Sequence, residues 1–200
     1  MNRHIKLFDL IAPFYNLFFK LQIKNYCQTI NKNLNEHPLP DGGKVLDLGA
    51  GTGAFGYCWQ EAGFDVIALE GSERMSNKCS KHGLKCINTD LTGGLPFAEN
   101  SFDLVVAAYL AHGLQESERK ILYREAKRVA SSFVIFHDYG QNKYTLIKLI
   151  EFLEGGDYFN FINKIPGEME KIFPEVEVLD TGPWHNWYVC ATKEEISLYD

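Results

Sequence analysis

No apolar run in this chain approaches the ~20 residues that a membrane-spanning helix needs. Its N-terminal apolar stretch, Leu7 to Leu21, is interrupted by Asp9, Asn16 and Lys20. Neither a membrane span nor a secretory leader is therefore expected. Cysteine is sparse, with five residues, an odd number, and no C-x-x-C pair. That argues against a disulfide framework or a structural zinc site, and for a reducing, cytoplasmic location. Cys27, Cys58, Cys79, Cys86 and Cys190 are expected to be small buried hydrophobes, and no metal site is expected. Positive charge is also short, 20 Lys+Arg against 26 Asp+Glu, for a net charge of -6. A main business of gripping phosphate backbones is disfavoured on that count. Internal repeats and low-complexity tracts are missing as well.

What is present is an ordinary globular composition in 200 residues, long enough for a full hydrophobic core. One component is in surplus: aromatics reach 14%, including 14 Phe, which must fill a core or line a site. Ile5 to Leu34 reads as helical, with Pro13 expected to break it in two. The cluster His37-Pro38-Leu39-Pro40-Asp41-Gly42-Gly43 reads as a loop.

Beyond the loop, strands and helices alternate. Strands are expected at 44–48, 65–69, 84–88, 102–108 and 133–137, and helices at 54–62, 72–81 and 116–129. Runs such as Leu104-Val105-Val106-Ala107-Ala108 suit strands buried on both faces. Alternation of this kind implies right-handed βαβ units and a doubly wound, mostly parallel sheet. The last third departs from the rhythm. Helices are expected at 144–153 and 158–162, separated by Gly155-Gly156. Strands at 176–179 and 187–192 would close the sheet in antiparallel fashion.

The central constellation is Val45-Leu46-Asp47-Leu48-Gly49-Ala50-Gly51-Thr52-Gly53, a strand running into a glycine turn that opens a helix. Glycines there let a ligand approach bare backbone, with helix N–H groups presented to it. Glu70 follows 21 residues after Gly49, at the end of the second strand, where a carboxylate can accept both hydroxyls of a ribose. Gly49-x-Gly51-x-x-Ala54 alone also satisfies the dinucleotide pattern. Asp47 separates the readings: a carboxylate two residues before the first glycine repels a pyrophosphate and favours a cationic ligand.

With Gly53 the pattern becomes D-x-G-x-G-x-G, and the chain resembles the class I S-adenosylmethionine-dependent methyltransferases, most closely the small-molecule branch with ubiquinone and menaquinone methylases. The resemblance covers Val45 to Phe136. It includes Ala68-Leu69-Glu70-Gly71-Ser72-Glu73-Arg74-Met75, Asn88-Thr89-Asp90-Leu91 and Leu95-Pro96-Phe97-Ala98-Glu99-Asn100-Ser101-Phe102-Asp103. More loosely, Phe8-Asp9-Leu10-Ile11-Ala12-Pro13-Phe14-Tyr15-Asn16 resembles a segment that covers the cofactor in these enzymes.

The resemblance implies seven strands in the order 3-2-1-4-5-7-6, the last antiparallel, within a single Rossmann-like domain. That domain would comprise N-terminal helices (1–36), a cofactor core (44–140), a helical lid insertion (141–173) and a closing strand pair (174–200). It also implies S-adenosylmethionine as cofactor. Asp47 would support the loop and the methionine moiety, Gly49 and Gly51 would pass beneath methionine and ribose, and Glu70 would hold the ribose. Asp90 and Leu91 would meet the adenine, with Met75 near it or simply in the core. Tyr15, Ala50, Gly71, Ala107 and Ala108 complete the expected cofactor set.

Methyl transfer chiefly requires a nucleophile held in line about 3 Å from the methyl carbon, and a base only if that nucleophile carries a proton. Tyr109, His112 and His137 follow strands four and five and are the candidates for such work. Asp138 and Tyr139 stand beside them. Loop hydrogen bonding is the alternative for each. The N/D-P-P-Y/F motif of enzymes that methylate nucleic-acid amino groups is absent, which points to a small-molecule acceptor. The aromatic insertion Lys143–Phe173 would suit an apolar or ring-bearing one, with Gly155-Gly156 as a hinge. Two rivals stay open: an NAD-dependent oxidoreductase, and a binding module that kept the pocket without turnover.

Overall fold

In the computed structural model, residues 3–36, 42–91, 93–140, 158–182 and 185–194 are described, without the side chains of 3–18, 36 and 158–160. Two compact units divide the chain. The first, Met1–Gly93, holds α1 (Arg3–Glu36), β1 (Lys44–Leu48), α2 (Ala54–Glu61), β2 (Asp65–Glu70), α3 (Glu73–Lys81) and β3 (Lys85–Asn88). The second, Gly94–Ser197, holds β4 (Phe102–Ala108), a 3-10 turn (Ala111–Gly113), α4 (Glu116–Val129) and β5 (Ala130–Tyr139). It continues with α5 (Tyr158–Met169), β6 (Glu175–Asp180) and β7 (His185–Ala191).

The seven strands follow the order β3-β2-β1-β4-β5-β7-β6, as the resemblance implies. β1 and β2 pair in parallel, as do β2 and β3, and β4 and β5. β7 runs antiparallel to both β5 and β6. The continuous apolar runs behave as two-sided burial requires: Val45, Leu46, Leu48, Val105, Val106 and Val134 have no exposed surface. The Leu95-Pro96-Phe97 stretch is tied down from α4. Arg128 donates to the Phe97 and Leu95 carbonyls at 2.7 and 3.1 Å, and Glu125 accepts from the Leu95 amide at 2.7 Å.

Besides α5, which runs to Met169 rather than ending at Ile162, three expectations need correction. α1 is continuous through Pro13 rather than broken there. A proline removes one backbone hydrogen bond, a small part of those that a 34-residue helix makes. β5 is twice its expected length: at its start Ala130 pairs with Phe102 of β4, and at its end Asp138 and Tyr139 pair with Asn186 and His185 of β7, partnerships no local pattern announces. Third, Cys27 and Cys58 are not free: they form a disulfide, their Cα atoms 4.9 Å apart. They lie 31 residues apart in sequence and meet only because α1 docks on α2. Cys79, Cys86 and Cys190 are free thiols. The helix expected at 144–153, the Gly155-Gly156 hinge, and the side chain of Tyr15 lie outside the described residues.

Candidate functional site

The first unit builds its site from the β1–α2 turn. Gly49, Gly51 and Gly53 all take positive φ, 68°, 57° and 87°, which only glycine adopts without strain. A side chain at Gly53 would also collide with Leu84 and with the Cys79 thiol, at 2.8 and 2.9 Å from its Cβ. At Gly51 the opposite holds, since nothing lies within 4 Å of the position a Cβ would take. Backbone there faces open space, as a cradle for a ligand must. The turn is anchored to β2 by the Gly49 and Ala50 amides, which both donate to the Leu69 carbonyl.

Glu70 clamps this cradle. Its Oε2 accepts from the Gly51 amide and its Oε1 from the Ser72 amide, each at 2.8 Å. One carboxylate thereby fixes the glycine turn and the start of α3, where Ser72 Oγ caps the helix through the Met75 amide at 3.2 Å. Each carboxylate oxygen can accept a second hydrogen bond, the capacity a ribose diol would use. Met75 is 1% exposed and packs in the core. Asp90, just past β3, is exposed, while Leu91 and Gly71 are half-buried.

Asp47 lies beneath the turn with no exposed surface. The Gly56 amide approaches and eases its charge, but neither Oδ completes a hydrogen bond. Burial pushes its carboxyl well above the usual range, reinforced by the charges of Cys86 and Glu70. An uncompensated acid under bare glycine backbone is a poor seat for a pyrophosphate and a favourable one for a cation. The residues present therefore fit a ligand that joins a positive sulfonium to a ribose.

A second cluster stands at the carboxyl ends of β4 and β5, within the second unit. His112, on the 3-10 turn, places Nδ1 at 2.8 Å from Asp138 Oδ1. The same oxygen accepts the Tyr139 amide at 2.8 Å, while Oδ2 accepts the amides of Ala111 and His112 at 3.0 and 3.3 Å. A carboxylate beside Nδ1 favours a proton there, which in the neutral ring puts the lone pair on Nε2. Asp138 is 1% exposed and His112 12%, so this dyad is nearly dry but still reachable.

Aromatic rings line it. Tyr109 sits at a strained φ of 50°, its ring 5.0 Å from Tyr139, 5.2 Å from His137 and 6.2 Å from His112. Burial, with Asp138 nearby, pushes its phenol up. Tyr139 and Phe161 approach His112 at 4.8 and 6.3 Å. His137 plays a different part. Trp187 Nε1 donates to its Nδ1 at 3.0 Å, and burial, helped by His185, pushes its imidazole down to about 3. Such a ring stays neutral and suits a wall better than a proton acceptor. Ala107 is buried and Ala108 half-buried at the end of β4. Among the described residues, no three His, Cys, Asp or Glu side chains gather as a metal site.

Residues 45–132 match the family model described as a methyltransferase domain. A demethylmenaquinone methyltransferase of Renibacterium salmoninarum is 31% identical over 121 residues, 58% of this chain and 49% of that protein. Its namesake in Paenarthrobacter aurescens is 42% identical over 115 residues, 54% of this chain and 43% of that protein. Over that segment the chain is similar to S-adenosylmethionine-dependent methyltransferases. The fold agrees: a solved methyltransferase from Thermotoga maritima, described as a possible histamine N-methyltransferase, superposes with a TM-score of 0.72. That match covers 96% of this chain and 100% of that one, at 18% identity, and so speaks for the fold alone. The chain spans about half the length of the curated relatives it matches.

The cradle is written in local spacing, whereas the partners of His112 are not. Asp138 organises His112, yet nothing in His137-Asp138-Tyr139 marks the middle residue above its neighbours. His185 and Trp187 were not singled out, because only the β5–β7 register sets them opposite Tyr139 and His137.

Proposed function

We propose that this protein transfers a methyl group from S-adenosylmethionine to a small-molecule acceptor whose nucleophile carries a proton. The observation that carries the reading is the His112–Asp138 dyad at the end of β4 and β5. When bound, S-adenosylmethionine supplies an electrophilic methyl group and leaves as S-adenosylhomocysteine. Gly49, Ala50 and Gly51 present backbone to it, Glu70 accepts from its ribose, and a bound cation would favour the charged form of Asp47 beneath the turn. Asp90 with Leu91 takes the adenine. His112 Nε2 accepts the acceptor's proton while Asp138 holds Nδ1–H and balances the imidazolium that forms.

The aromatic walls of Tyr109, Tyr139 and Phe161 support an apolar or ring-bearing acceptor, in keeping with relatives named for a menaquinone precursor. The net charge of -6 speaks against nucleic acid. A cytoplasmic location belongs to the same proposal, supported by the three free thiols. Among the described residues, no helix is long and apolar enough to cross a membrane. In a reducing cytosol the Cys27–Cys58 bond would form only where an oxidant acts.

Calorimetry with S-adenosylmethionine, S-adenosylhomocysteine and NAD tests the cofactor, with Glu70→Ala expected to weaken the first two at least tenfold. Turnover is tested on 1,4-naphthoquinol by the appearance of S-adenosylhomocysteine, where His112→Ala should cost on the order of 10²-fold in kcat. Binding of NAD alone would overturn the reading. Tight cofactor binding without turnover on any acceptor would mark a binding module instead.

A further inference from the structure

Arg119 is an arginine with no exposed surface and without a part in the chemistry above. Its Nε and one terminal nitrogen grip both oxygens of Glu168 at 2.8 Å each. Its other terminal nitrogen donates to the Leu114 carbonyl at 2.7 Å. The guanidinium carbon lies 5.6 Å from the centre of the Phe161 ring. The fork thus ties three pieces together. Arg119 belongs to the first turns of α4, Leu114 directly follows the 3-10 turn that carries His112, and Glu168 and Phe161 belong to α5.

Stability alone does not account for this arrangement. A buried ion pair loses about as much in desolvation as it regains by attraction, and apolar replacements of similar size are often neutral or stabilising. What the pair supplies is geometry. Guanidinium is planar and its donors are fixed in direction, so satisfying Glu168 and Leu114 together fixes the turn against α5. His112 has Asp138 on one side and Phe161 on the other, and both distances depend on where that turn sits. We infer that Arg119 and Glu168 are positioning residues that hold the His112 turn against α5, so that the imidazole keeps Nδ1–H on Asp138 and its lone pair on Nε2. This rests on the reading of His112 as the base.

The test uses the full chain labelled with ¹⁵N-histidine, in which long-range ¹H–¹⁵N spectra report the tautomer of His112. His112→Gln assigns the signal among the six histidines. Wild type should show the Nδ1–H form of the neutral ring. In Arg119→Met/Glu168→Leu that form should give way to the Nε2–H form that unconstrained imidazoles favour. Affinity for S-adenosylhomocysteine, whose cradle lies in the other unit, should change less than twofold. Retention of the Nδ1–H form in the folded double variant overturns the inference. Should the double variant not fold, Arg119→Lys gives the same readout: its ammonium can meet Glu168 but lacks the fork that also reaches Leu114. Loss of the Nδ1–H form supports positioning, and its persistence overturns it. A failed base reading is distinguishable, because His112→Ala would then leave turnover unchanged whatever the tautomer spectra show.

Discussion

Opening the Cys27–Cys58 bond should lower stability by an amount that the chain length between the cysteines sets. The bond closes a 31-residue separation. In the chain-entropy description, a loop of that size removes about 12 cal/mol/K from the unfolded ensemble, or ~3.7 kcal/mol at 25 °C. Part of that is recovered on reduction: the freed Cys58 thiol lies 3.3 Å from the Ile23 carbonyl, a weak hydrogen bond worth a few tenths of a kcal/mol at most. The rest of the α1–α2 contact stays, with Tyr26 against Phe55 at 5.1 Å and Ile30 fully buried, so the reduced protein should remain folded. For a chain of this size each kcal/mol moves the melting midpoint by about 2–4 °C, which gives an expected drop of roughly 7–14 °C. Scanning fluorimetry with and without a phosphine reductant measures it, and non-reducing intact mass confirms the starting bond. Cys27→Ser should melt at the lower midpoint and no longer respond to reductant. A reductant effect below about 2 °C, or one equally large in Cys27→Ser, would refute the assignment of the stabilisation to this bond.

Asp47→Asn tests the buried acid. Its folded-state pKa is raised, so its charge costs stability that is absent at low pH and grows as pH rises. The variant should therefore melt above wild type at pH 8, with the gap closing toward pH 4, and should show a smaller midpoint shift with S-adenosylmethionine. A gap that widens toward acid would contradict the burial argument. His137 works in the opposite direction: its folded pKa, about 3 against an ordinary 6.5, lets the unfolded chain take the proton first. Its contribution is intact above pH ~6.5 and fades below it, by up to about 1.4 kcal/mol per pH unit. His137→Gln, which keeps an acceptor for Trp187, should flatten the acid limb of urea-unfolding free energies between pH 6.5 and 4. An equally steep limb in the variant would show that the proton goes elsewhere.

Much of the glycine-turn cradle can be read directly, because each of its devices is local. Positive φ at Gly49, Gly51 and Gly53 follows from residue type, and Glu70 sits at a strand end that the apolar pattern marks. β4 and α4 match their expected limits, 102–108 and 116–129, since buried runs and amphipathic periods are written within a dozen residues. The acceptor end was only half legible. His112 and Tyr109 stood out as chemistry-bearing residues after a strand. Their partners did not, because Asp138, Phe161 and His185 reach them across 26 or more residues, and Trp187 meets His137 only through the β5–β7 register.

What the sequence by itself determined is the strand–glycine turn–helix unit, the carboxylate that clamps it and the alternation that builds a doubly wound sheet. All of these are consequences of backbone freedom and hydrophobic period. Tertiary structure alone decided the Cys27–Cys58 pairing, the placing of Asp138 beside His112 and the length of β5. Each depends on which distant surface meets which: α1 on α2, Asp138 under the 3-10 turn, β7 along β5. Contacts of that kind come from burying apolar area, which has no direction along the chain, so no local spacing records them.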